Sequence, residues 1–184
     1  MQELPEINVP SELLRETLSW AKTILCAVIF ALLINNFVIV NASVPTGSMK
    51  ETIMENDRIV AFRLSYLLAQ PRRYDVVVFR YPDDESVPYV KRIIGLPGET
   101  LEIRNGKVYI DGSDRPLDDY FTVRSEHGDF GPVTVPEGHY FMLGDNRGNS
   151  QDSRYWENTN VAKNKILGKV LFKYYPNMKI LLGI

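Results

Sequence analysis

Residues 100–111 read TLEIRNGKVYID: two short alternating segments, TLEIR at 100–104 and KVYID at 107–111, joined by Asn105 and Gly106. Asn-Gly supplies the two positive φ angles of a type I′ turn, whose twist matches that of the strands it joins, so this stretch predicts a β-hairpin. The same reading extends outward on both sides. DRIVAFR at 57–63, YDVVVFR at 74–80 and YVKRII at 89–94 precede the hairpin, and HYFML at 139–143 and KILGKVLFKYY at 165–175 follow it. Each is a period-two pattern or a short apolar run rich in β-branched and aromatic residues, the signature of a strand. Prolines 82, 88, 97, 116, 132 and 136 punctuate the connections, and only SYLLAQ at 65–70 suggests a turn or two of helix. The body from residue 41 to 184 is therefore mainly β, an antiparallel sheet. Residues 100–138 form a hairpin and loop excursion, whose polar Gly-, Pro- and Asp-rich part from about 112 is expected to be the most mobile region. No internal repeat or low-complexity segment is present.

Upstream the pattern changes. Residues 23–40 read TILCAVIFALLINNFVIV, eighteen positions without a charge and interrupted only by Asn35 and Asn36. About 20 apolar residues cross a bilayer core of about 30 Å, so the first reading is one N-terminal transmembrane helix at 23–40 behind a short segment at 1–22. Two others stay open. A cleavable signal peptide is compatible with the uninterrupted run 23–34 and the small residues of NAS at 41–43, but Arg15 and Lys22 are accompanied by four acids, which is not a positive n-region. A buried core helix would need more surrounding chain than the charged and proline-rich flanks provide. Arg15 and Lys22 before the run face Lys50 and Arg58 after it, so charge alone leaves the orientation open.

Composition removes several function classes. The 184 residues carry 21 Lys plus Arg and 23 Asp plus Glu; with four acids and two bases in residues 1–40, the remainder balances at 19 against 19. A neutral body whose longest basic block is Arg72 and Arg73 lacks the electrostatic footprint of a nucleic-acid binder. The single cysteine, Cys26, permits no intramolecular disulfide and no CxxC motif, and within an apolar run it reads as a buried inert thiol rather than a nucleophile. Two histidines, His127 and His139, give few ways to build a Ser/His/Asp triad, and without paired histidine spacing or HExxH no ordinary zinc ligand set is expected. No cofactor is expected.

Three segments could carry chemistry. Lys91 in YVKRIIGLPG shares its strand face with Tyr89 and Ile93, and a lysine among apolar neighbours can be desolvated. Burial disfavours the ammonium and moves the amine toward the range of a general base, although a strand lysine is more often a solvated or snorkelling side chain. VPTGSMKET at 44–52 leaves Ser48 in a tight loop directly after the apolar run, where a serine beside glycine is ordinarily a loop residue. GDNRGNSQDSR at 144–154 packs two Asp, two Arg, two Asn and two Ser into eleven residues, dense enough for a hydrogen-bonded network and equally readable as a structural turn.

In this order behind an anchor, the blocks VPTGSM, NDRIVAFR, YDVVVFRYP, YVKRIIGLPGE and GDNRGNSQDSRYW resemble the type I signal peptidases, membrane-bound Ser/Lys proteases, over nearly the whole chain. The resemblance implies Ser48 as nucleophile, Lys91 as general base, Thr46 as a hydroxyl assisting the oxyanion and Ser150 as a hydroxyl orienting the lysine. It implies Arg92, Asp145, Asp152 and Arg154 as structural supports of the site. It further implies residues 1–22 inside the cell and the β body on the outer face of the cytoplasmic membrane. The implied substrates are signal peptides of exported preproteins, cut after small residues beside the secretion translocase and membrane lipid. Glu51 stands where the family usually has proline, Tyr74 where glycine is common and Glu157 where glycine often follows the tryptophan. Two rival readings remain: a self-cleaving β-fold regulator, which would need a DNA-binding domain larger than residues 1–22, and a catalytically silent anchored binding module, which would leave a preprotein uncut.

Overall fold

The computed structural model describes residues 11–67, 69–123 and 128–181. Residues up to Phe37 form one compact unit and those from Val38 a second. In the first, α1 (Ser11–Leu33) begins after Pro10 and well before the apolar run, taking Arg15, Glu16 and Lys22 into its opening turns. The hydroxyls of Thr17 and Thr23 donate to the carbonyls of Leu13 (2.9 Å) and Ser19 (3.1 Å), so neither is left unpaired on the helix surface. A π turn at Ile34–Val38 contains Asn35 and Asn36 and ends the helix. Among the described residues this is the one helix long and apolar enough to cross a membrane, and Cys26, expected as a buried thiol, is exposed on its surface together with its apolar neighbours Leu25, Val28 and Ile29. Ile39 and Val40, expected to close it, instead open β1 (Ile39–Ser43), because β-branched residues pair readily with a neighbouring strand.

Among the described residues the second unit has eleven strands. After β1 come β2 (Arg58–Phe62), β3 (Val76–Tyr81), β4 (Asp84–Gly95), β5 (Thr100–Arg104) and β6 (Lys107–Ile110). β7 (Phe130–Thr134), β8 (His139–Leu143), β9 (Asn160–Ala162), β10 (Ile166–Tyr175) and β11 (Lys179–Ile180) complete it. An eight-stranded antiparallel sheet runs β1-β2-β10-β3-β4-β8-β9, with β11 beside β10, and a three-stranded sheet runs β6-β5-β7. The Asn105–Gly106 turn has φ of 51° and 75°, and Arg104 pairs with Lys107, the hairpin expected from the sequence. A 3-10 turn at Arg63–Tyr66 stands near the helical signal expected at 65–70. Strands β1, β7, β9 and β11 were not expected. β7 contains Gly131 and Pro132, which local rules exclude from a central strand; it lies at the edge of its sheet, where a missing N–H costs no ladder bond.

Both faces of the central strands are buried. Val76 and Val78 of β3 join Ile59, Ala61 and Val170 in one cluster, while Val77 and Phe79 join Ile93, Met142 and Trp156 in another. Val40 and Ala42 of β1 and Val90 of β4 pack on the first cluster, so β1 and β4 share one core although three strands lie between them in the sheet. A third cluster joins Ile94, Phe141 and Leu143 of the large sheet to Leu101, Ile103 and Val108 of the small one. β4 pairs with β8 only from Arg92 onward, which leaves the edge of residues 84–91 away from β3 unpaired and accommodates Pro88.

Two departures from the family pattern have backbone explanations. Tyr74, at a position where glycine is common, has φ of 71°, and its peptide is held by Tyr74 N–H to Ile93 O (2.8 Å) and Arg92 Nη1 to Tyr74 O (2.8 Å). Glu51 has φ of 77° and is the third residue of a type II turn closed by Thr52 N–H to Met49 O (3.1 Å). Proline, fixed near −65°, cannot adopt that angle, so this turn differs from one built on proline. Glu157 is exposed, and its backbone N–H donates to Asp83 Oδ2 (3.0 Å).

Candidate active site

Ser48 lies in a 3-10 turn, Gly47–Met49, inside a loop that leaves β1 and returns as β2. The loop is pinned to the core by Val44, Met49 and Ile53, all buried. Its base is closed by Val44 N–H to Asp57 O (3.0 Å) and Asn56 N–H to Val44 O (2.8 Å). Asp57, itself buried, pairs with buried Lys173 of β10 at 2.8 Å and accepts the Met54 N–H. A serine between two core anchors has little freedom to swing, unlike a serine on a free loop tip.

Lys91 reaches the same place from β4. Its partner across the sheet is Val77, and its Nζ lies 5.4 Å from the Tyr89 ring centroid. Lys91 Nζ donates to Ser48 Oγ at 2.6 Å, with Lys91 4% and Ser48 5% exposed. Burial pushes the amine down to about 8; the carboxylates of Asp152 and Asp145 oppose the shift and Arg154 reinforces it. Sequence left the lysine as either solvated or desolvated, and the fold decides for desolvation. An amine that is substantially neutral near pH 8 and bonded to a hydroxyl can take that hydroxyl's proton.

Arg92, on the opposite strand face, forms a two-pronged pair with Asp145: Nε to Oδ1 at 2.8 Å and Nη2 to Oδ2 at 2.7 Å, both side chains 1% exposed. Thr52, five residues from the Ser48 loop turn's start, donates to Asp145 Oδ2 at 2.6 Å, and Phe121 covers the guanidinium with its ring 4.0 Å away. The lysine strand, the serine loop and the 144–154 segment thus meet at one buried ion pair. Asp145→Ala would leave Arg92 buried and uncompensated, so it is expected to destabilise the body by about 3–5 kcal/mol in urea unfolding. A loss under about 1 kcal/mol would show that solvent reaches the guanidinium.

The 144–154 segment lies directly over the serine. A side chain at Gly144 would place Cβ 2.6 Å from Ser48 O and 2.2 Å from Ser150 Oγ, so only glycine permits the approach. Asp152 accepts the Gly144 N–H (3.1 Å) and pairs with Arg154 Nε (2.8 Å), whose Nη2 also donates to Arg147 O (2.8 Å). Arg147 in turn pairs with Asp119 of the excursion at 2.8 Å. Sequence reading did not single out Thr52, Asn146, Arg147 or Asp119; the first three lie within the motifs it marked, whereas Asp119 carried no signal.

A cavity of about 670 Å³ opens at this point. Ser48, Lys91, Thr46 and Ser150 line it, with the β1 end at Ala42 and the unpaired β4 edge at Val87–Val90 on its walls. Thr46 Oγ1 is 3.3 Å from Ser48 Oγ. Ser150 is buried beside them, but its hydroxyl makes no hydrogen bond among the described residues, so the geometry brings it to the site without joining it to Lys91. His139 binds the Glu137 carbonyl at 3.0 Å and is not among the lining residues; His127 lies outside the described residues. No cluster of three or more metal-ligating side chains occurs among the described residues.

The chain is similar to known proteins over most of its length. The family described as signal peptidase, peptidase S26, matches residues 17–175. Signal peptidase I S of Bacillus subtilis is 39% identical over 174 residues, covering 88% of this chain and 91% of that one. A probable signal peptidase I-2 of Synechocystis is 38% identical over 164 residues, covering 86% of this chain and 73% of its own. A solved signal peptidase I from Enterococcus faecalis is 37% identical, covers 55% of this chain and 97% of that one, and superposes with a TM-score of 0.46. With a family match across the site and both flanking sheets, the chain belongs to the signal peptidases of family S26, which are serine endopeptidases.

Proposed function

We propose that this protein is a membrane-anchored endopeptidase that removes signal peptides from exported preproteins after small residues, with Ser48 as nucleophile and Lys91 as general base. The observation that carries the assignment is the 2.6 Å bond between Ser48 Oγ and a buried Lys91 amine pushed down to about 8. Ser48 Oγ attacks the scissile carbonyl carbon while its proton passes to neutral Lys91. The carbonyl oxygen becomes an oxyanion, stabilised by the Ser48 N–H and the Thr46 hydroxyl. Lys91 then gives its proton to the leaving amine, and the C–N bond breaks to leave an acyl-enzyme on Ser48. Water attacks the ester, Lys91 again takes the proton, and Ser48 Oγ leaves with it.

An extended substrate fits the unpaired edges that border the cavity. β1 ends the large sheet, and the outer edge of residues 84–91 in β4 is free. A peptide laid along such an edge gains main-chain hydrogen bonds whatever its sequence, while Ala42, Val44, Val78 and Val90 offer shallow apolar walls to small side chains. Incubating the detergent-solubilised protein with a preprotein and sequencing the new N-terminus tests the reading. One cut after a small residue, absent in Ser48→Ala, is the expected result, and an intact preprotein would overturn it.

For the anchor, the apolar part of the helical segment, residues 23–38, crosses the cytoplasmic membrane once, the residues before it are inside, and the body from β1 onward lies on the outer face next to lipid and the secretion translocase. The length and apolar surface of the helical segment support this, as does the need to meet preproteins that have already crossed. Protease added to spheroplasts should degrade the chain beyond residue 45. Protection of that body with digestion of residues 1–22 would reverse the orientation.

A further inference from the structure

The Ser48 N–H can act on an oxyanion only if the Gly47–Ser48 peptide is held in one orientation. Among the described residues the cis peptides are those before Pro132 and Pro176, so the Gly47–Ser48 peptide is trans, and its C=O and N–H point in opposite directions. Gly47 O accepts two bonds: from Asn146 Nδ2 at 3.0 Å and from Lys50 N–H at 3.1 Å. The next carbonyl, Ser48 O, accepts the Asn146 backbone N–H at 3.0 Å. One residue therefore grips both carbonyls flanking the nucleophile, from a buried position at 6% exposure. Gly47 and Ser48 line the cavity, and with Gly47 O held by Asn146 the Ser48 N–H of the same trans peptide is directed away from that carbonyl.

We infer that Asn146 is a positioning residue for the reaction: its side-chain amide fixes the Gly47–Ser48 peptide so that the Ser48 N–H faces the developing oxyanion. The inference rests on the Ser/Lys reading of the site. Without the Nδ2 donor, Gly47 O keeps only the Lys50 bond, and the peptide plane can rotate the catalytic N–H away. Asn146→Asp makes the same point more strongly. It is nearly isosteric and keeps the backbone bond to Ser48 O, but a carboxylate donates no hydrogen bond and repels Gly47 O.

The test compares detergent-solubilised full-length wild type, Asn146→Ala, Asn146→Asp and Ser48→Ala on a preprotein over a range of pH. Affinity for a peptide aldehyde, which forms a tetrahedral adduct on the serine, is measured alongside. Loss of one oxyanion donor is expected to lower kcat by about 10²-fold with KM little changed, and to weaken aldehyde binding in the same proportion. The rise of rate with pH should stay where it is in wild type for Asn146→Ala, because the Ser48–Lys91 bond does not involve Asn146; Asn146→Asp is judged on kcat and aldehyde affinity alone, since a new carboxylate raises the Lys91 pKa as Asp152 and Asp145 do. A merely structural residue would instead displace that rise or lower kcat without weakening the aldehyde, and either result overturns the inference, as does kcat within about threefold of wild type. Should Asn146→Ala fail to fold, Asn146→Asp carries the comparison of kcat and aldehyde affinity. If Ser48→Ala still cleaves, the parent reading has failed; if it is inactive while the Asn146 variants are normal, only this inference has.

Discussion

Ser48→Ala is expected to abolish cleavage of a preprotein while leaving the β body folded. The hydroxyl is the one bonded to Lys91, at 2.6 Å, and the neighbouring hydroxyls cannot replace it. Thr46 Oγ1 has no bond to the lysine, and Ser150 Oγ has no partner among the described residues. Met49, Ile53 and the Asp57–Lys173 pair hold the loop independently of the hydroxyl, so the stability change should stay within about 1–2 kcal/mol. His127→Ala and His139→Ala should retain cleavage within about threefold of wild type, since neither supplies the reaction with a proton or a charge. A histidine substitution as damaging as Ser48→Ala would return the lead to a triad.

Lys91→Arg is expected to be as inactive as Lys91→Ala, although it preserves positive charge and approximate length. A guanidinium with pKa above about 12 holds its proton near neutrality and cannot accept one from Ser48. Removal of a general base costs about 10²–10⁴-fold in rate. The wild-type pH profile supplies an independent check with a definite sign. Burial lowers the Lys91 pKa to about 8, and only the neutral amine is a base, so the rate rises as pH increases through about 8. That limb should vanish in Lys91→Arg. Cleavage within about tenfold of wild type with the limb unchanged would show that another group takes the proton.

Much of the architecture is legible in the sequence. Asn105–Gly106 prescribes two positive φ angles, and two alternating segments around it leave a hairpin as the low-energy arrangement. The β-branched runs at 74–80 and 89–94 become the paired central strands β3 and β4 because both faces of each can be buried. β1 was hidden because it continues an apolar run without a break, and β7 because Pro132 argues against a strand until the edge is known. The density of the tract 144–154 allowed either a polar network or a structural turn, and gave no sign of what it would bind.

By itself, then, the sequence determined the apolar N-terminal helix, the mainly antiparallel body, and the residue types from which a site could be made. Those follow from period, turn chemistry and composition, which act over a few neighbouring residues. Only the tertiary structure decided which of them meet. Ser48 and Lys91 are 43 positions apart, and their bond exists because β1 and β4 share one core that brings a loop at the end of one to the face of the other. Whether Lys91 is an ammonium or a base is likewise no property of YVKRII; it depends on how much water the surrounding segments exclude, and desolvation is the largest cause of its shift. The hold of Asn146 on Gly47, across 99 positions, could not be read from spacing, because a side-chain amide finds its carbonyl only when two loops are already packed.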